Sequence, residues 1–119
     1  MINETDIEAM TPQGMVEEFR TTMKQEPNST RSFKLMKEEW DEFLNAFSDE
    51  NELKELADLV YVSFGYAEAL GWDLDEALRR VHKNNMERCI WPDGQVRFRE
   101  DGKVMKNPDA KSVDLEDLV

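Results

Sequence analysis

Five carboxylates stand at spacings that could do chemistry: Glu38, Glu39 and Glu42 in one stretch, Glu55 and Asp58 in the next. Residues three or four apart share a helix face, so each set projects acid groups in one direction. The first stretch reads RSFKLMKEEWDEFLNAF and the second, after a short polar break, NELKELADLVYVSFGYAEAL. Two antiparallel helices joined by that break bring the acidic faces together near the connection. Converging carboxylate oxygens make a site for a hard cation. With no His or Cys beside them, they favour Mg²⁺, with Mn²⁺ able to substitute, over zinc. His82 lies a helix away, which fits that reading, and reads as structural.

A solvated acidic face is the bland alternative. In a chain with 27 Asp and Glu, E-E-x-x-E arises readily by composition alone. What separates the two readings is the setting of Glu55 and Asp58. From Leu56 to Leu70 the pattern is apolar almost all round, as in a helix that is buried. A carboxylate buried without a partner is costly, so these two require a cation or a facing basic group.

The elements that must carry these residues read as an all-α bundle of four helices. Thr11-Pro12 is a helix start, hydroxyl cap followed by Pro at the first helical position, and that helix runs to about Lys24. Gln25 to Thr30 reads as a loop. The second helix spans about Arg31 to Phe47, closed by Ser48 to Asn51, and the third about Glu52 to Leu70, ending at Gly71. Asp73 caps a fourth, Leu74 to about Arg88. After Ile90, turn signals at Asp93-Gly94 and Asp101-Gly102 flank Val96 and Phe98, which suggests a small hairpin or extended flap. The acidic lead-in before Met10 is aperiodic.

At 119 residues the chain has room for one domain, with a core of about 12–89 and a flap and tail of 90–119. A net charge of -12 argues against gripping nucleic acid by bulk electrostatics. It leaves a phosphorylated ligand open, because a divalent ion inverts the local charge. The lone Cys89 excludes an internal disulfide and fits a reducing cytoplasm. No leader stands at Met1 and no apolar run has membrane length, so a soluble protein with no membrane partner is expected. The apolar third helix needs cover, and self-association is a natural supply of it.

The constellation resembles the signature of the MazG-like all-α nucleoside triphosphate pyrophosphohydrolases, related to phosphoribosyl-ATP pyrophosphohydrolase and the all-α dUTPases. The likeness covers roughly Val16 to Lys106, through EEWDEF, ELADLVYV, GWDLDEALRRVHKNNMER and DGKVMKNP, and is greatest to the compact single-domain form often carried by phages. The resemblance implies cleavage between the α and β phosphates, giving monophosphate and pyrophosphate, with dGTP the favoured substrate as in phage relatives named MazZ. Carried over by position, Glu39, Glu42, Glu55 and Asp58 are the metal ligands. Glu38 is favoured over Glu39 as the carboxylate that activates water. Asn85 would bind the sugar or a phosphate, with Lys83 and Arg88 reaching phosphate. Lys103 and Lys106 either close over the triphosphate or stand on a solvated loop. Phe19 and Trp40 are candidates to stack on a base, although aromatics at this spacing more often serve the core. The first helix departs from the family pattern, which usually has His after the Phe; here Arg20 follows Phe19. Such proteins assemble as dimers or tetramers; the expected location of this chain is the cytoplasm, the host's if phage-encoded.

Two other readings stay open. A dUTPase-like member differs only in base choice. A non-enzymatic acidic interaction protein, such as a DNA mimic, would need its charges outside and no metal.

Overall fold

The computed structural model describes residues 7–119. Among them, four helices of three turns or more follow one another: α1 (Pro12–Thr22), α2 (Ser29–Leu44), α3 (Asp49–Leu70) and α4 (Leu74–Cys89). A single 3₁₀ turn, Glu116–Leu118, ends the chain, and no strand forms among the described residues. The fold is all-α, as the periodicity indicates. The contacts divide the chain into two compact units, through Asp75 and from Glu76 onward.

In the first unit α3 packs along both α2 and α1. Each helix starts where a side chain satisfies amide groups left without helical partners. Thr11 accepts a hydrogen bond from the Gly14 amide at 3.1 Å, with Pro12 at the first position. Asn28 accepts from Arg31 at 2.9 Å, and Ser48 accepts from Asn51 at 3.1 Å. Ser48 therefore opens α3 rather than closing α2, and α2 ends at Leu44, short of Phe47. The end of α3 is set by Gly71, whose φ of 75° is left-handed. The amides of Gly71 and Trp72 donate back to the carbonyls of Glu68 and Ala67, closing the last turn. Lys24 ends α1 in the same way, at φ 56°. Gln13 ties α1 to the following corner: its Oε1 accepts from the Leu74 amide at 2.7 Å and its Nε2 donates to the Trp72 carbonyl at 2.6 Å.

The core is thin. Among the described residues, Val16, Phe64 and Ala67 are its buried apolar members. The apolar run from Leu56 to Leu70 predicts burial along its length, yet Leu56, Val60, Tyr61 and Leu70 are exposed in the single chain. The reason is geometric: α1 and α2 cover only part of the α3 surface.

In the second unit, residues 107–119 run back along α4. The Asn107 amide donates to the Arg88 carbonyl at 2.8 Å, Asn84 Nδ2 to the Lys111 carbonyl at 2.8 Å, and Arg80 pairs with Asp117 at 2.6 Å. The expected hairpin is reduced to one antiparallel bridge, Phe98 to Val104, around the turn at Gly102. Trp91 anchors this segment, donating to the Met105 carbonyl at 3.2 Å beneath the Arg97 guanidinium, whose carbon lies 3.9 Å from the ring centre.

Candidate metal centre

Where α2 and α3 approach near their connection, Glu39, Glu42 and Glu55 each offer one oxygen, and these oxygens lie within 4.8 Å of one another. The helical spacing of Glu39 and Glu42 turns both toward α3, and Glu55 meets them from the other side. Glu55 is only 7% exposed. Its Oε1 accepts from Asn51 Nδ2 at 3.3 Å and from Lys54 Nζ at 3.5 Å. Its Oε2 is buried with no hydrogen-bond partner, and so is Oε2 of Glu39. Buried polar atoms are nearly always satisfied, and a bound cation is one partner that would satisfy these two carboxylate oxygens.

The electrostatics agree. Burial, then the hydrogen bond and charge of Glu42, then the charges of Asp58 and Glu55, push the Glu39 carboxyl up to about 7. Asp58 thus acts on the cluster through its charge, while its own carboxylate is held by Lys54 Nζ at 2.7 Å. Lys54 sits against both Glu55 and Asp58, and those acids raise its pKa. The donor set fits a hard divalent cation: oxygens alone, one carboxylate deeply buried. Glu39, Glu42 and Glu55 would hold it, with Asp58 available once it leaves Lys54.

Sequence reasoning passed over Lys54 and Asn51. Their signal was present, since Asn51–Glu55 and Lys54–Asp58 are pairs four apart on one helix face.

The remaining candidates stand as follows. Glu38 is exposed on α2, outside the cluster. Phe19 is half exposed and meets the edge of Tyr61 at 6.0 Å between ring centres; Trp40 stacks on Phe43 at 5.7 Å. In the second unit, Asn85 is half-buried on α4 and Lys83 is exposed, 3.9 Å from Glu87. Arg88 is half-buried, and its Nε is buried without a partner. Lys103 and Lys106 line an open groove together with Arg99. His82 is exposed and the Cys89 thiol is free. No helix among the described residues is long and apolar enough to cross a membrane.

A family model described as phosphoribosyl-ATP pyrophosphohydrolase matches residues 10–85, a span that takes in α1, α2, α3 and most of α4. Comparison with curated proteins gave no match.

Proposed function

Because the chain belongs to the phosphoribosyl-ATP pyrophosphohydrolase family, an all-α MazG-like group, we propose that it hydrolyses (d)NTP to (d)NMP and pyrophosphate with Mg²⁺, dGTP being the favoured substrate. The observation that carries this reading is the buried Glu55, which clusters with Glu39 and Glu42 and carries an oxygen without a hydrogen-bond partner. When bound there, Mg²⁺ supplies the positive charge that lets a polyanionic triphosphate approach a carboxylate cage, and makes nearby water more acidic. Mn²⁺ meets the same requirements.

The protein's own part follows from its side chains. Glu39, Glu42 and Glu55 would hold the cation, and Asp58 would be able to join them once released from Lys54. Glu38, exposed beside Glu39, accepts the proton of the attacking water. Water adds at the α-phosphorus, the bond from that phosphorus to the bridging oxygen breaks, and pyrophosphate departs. Asn85, Lys83 and Arg88 of α4, with Lys103 and Lys106, are proposed to hold sugar and phosphates. Self-association to a dimer or tetramer would cover the exposed apolar residues of α2 and α3.

The acidic-mimic reading is weakened by the same observation. A mimic displays its charges, whereas Glu55 is hidden. The test is a screen of the eight common nucleoside triphosphates with phosphorus NMR of the products. Monophosphate and pyrophosphate in equal amounts, dGTP the best substrate, support the proposal. Release of orthophosphate, or no turnover of any nucleotide, refutes it.

A further inference from the structure

The two oxygens of the buried Glu55 are treated differently. Oε1 accepts from the Asn51 side-chain amide at 3.3 Å and from Lys54 Nζ at 3.5 Å. Oε2 is buried and has no hydrogen-bond partner. With one oxygen taken and the other bare, the carboxylate is set up to bind through a single atom.

Asn51 stands one turn before Glu55 on α3 and is fixed from both sides. Its backbone amide donates to Ser48 Oγ at 3.1 Å, and its Oδ1 accepts from the Phe47 amide at 3.4 Å. That leaves Nδ2 for Glu55, so one side chain links the α2–α3 connection to the buried acid. The two donors on Oε1 respond differently to a cation. Lys54 is charged, 63% exposed and also paired with Asp58 at 2.7 Å. An arriving cation repels it toward water. The Asn51 amide is neutral and stays. It is the contact that persists in a loaded site, the part usually played by groups that orient a metal ligand from behind.

How a carboxylate binds decides which ion it suits. Mg²⁺ requires near-octahedral geometry at about 2.0–2.1 Å, which single-oxygen ligands satisfy. Ca²⁺ takes about six to eight oxygens at roughly 2.3–2.6 Å and accepts both oxygens of one carboxylate.

We propose that Asn51 is a positioning residue: by holding Glu55 Oε1 it leaves Oε2 alone to meet the cation, and so sets a preference for Mg²⁺ over Ca²⁺. The inference rests on the metal-centre reading and adds to it a neutral residue that decides between two ions.

The test uses the metal-free full chain without nucleotide. Bound Mn²⁺ is read by electron paramagnetic resonance and competed off with Mg²⁺ or with Ca²⁺. Wild type is expected to favour Mg²⁺. Asn51→Leu should weaken Mg²⁺ about tenfold or more and Ca²⁺ by less, so that the preference falls. Ser48→Ala loosens the same helix end and should leave the preference unchanged, which separates positioning from capping. Asn51→Asp keeps the acceptor for the Phe47 amide and loses the donor to Glu55. It should shift the preference toward Ca²⁺ even if Asn51→Leu fails to fold. An unchanged preference in the Asn51 variants, an equal fall in Ser48→Ala, or a wild type that favours Ca²⁺ overturns the inference and leaves the metal centre standing. A wild type that binds none of the three ions overturns the metal centre and the inference together.

Discussion

In the metal-free protein Glu39 shares a small space with Glu42 and Glu55, and burial first, then Glu42, raises its pKa from 4.5 to about 7. A carboxyl whose folded pKa lies above its unfolded one stabilises the fold fully below the unfolded value. That contribution is lost as the pH rises through the folded value. Metal-free wild type should therefore lose melting temperature between about pH 5 and pH 8 relative to Glu39→Gln, whose neutral amide does not titrate. Thermal scans across that window check this. Parallel curves would mean that Glu39 ionises normally. A cation must displace the same proton, so apparent Mg²⁺ affinity should climb over the same range. Lys54 competes with a cation for Glu55 and Asp58. Lys54→Ala should lower the metal-free melting temperature, by leaving acids facing one another, and enlarge the rise on adding Mg²⁺. A smaller rise in the variant would show that Lys54 assists rather than competes.

The helices hold these residues through their ends. Gly71→Ala places a Cβ at φ 75° and should cost about 1 kcal/mol; Ser48→Ala removes the α3 cap and should cost about the same. Denaturant titration of each reads both values, and no loss in Gly71→Ala would show that the corner relaxes. Much at this scale was legible in the sequence. Thr11-Pro12 and Gly71 marked helix ends because their chemistry serves little else. The acids of α2 and α3 converge because spacings of three and four hold on any α-helix. Ser48 was misplaced because a hydroxyl between two helices can close one or open the next, and only the amide it meets decides. The pairing of Asp58 with Lys54 was hidden for a similar reason: both ends of a lysine's reach lie on one face, and a rotamer selects the partner. The segment after Ile90 read as a small hairpin or extended flap; Arg99 and Asp101 pair across its turn and a single bridge joins its two arms.

For the whole molecule, the thin core and the uncovered apolar residues belong together. Phe33, Trp40, Leu44, Phe47, Leu53 and Leu56 are all exposed, Phe47 at 86%. A monomer rarely leaves so much apolar surface in water. Light scattering after gel filtration should find a dimer or larger assembly, and Leu44→Glu with Leu53→Glu should shift it toward monomer. A wild-type monomer would contradict that proposal. The most direct test of the central claim, that Glu39, Glu42 and Glu55 hold the cation on which hydrolysis depends, is dGTP turnover with and without Mg²⁺ in wild type, Glu42→Ala and Asp58→Ala. The account predicts pyrophosphate release by wild type only when Mg²⁺ is present, and a drop of about a hundredfold or more in both variants. Turnover unchanged in both variants, or undiminished after chelation, would contradict it.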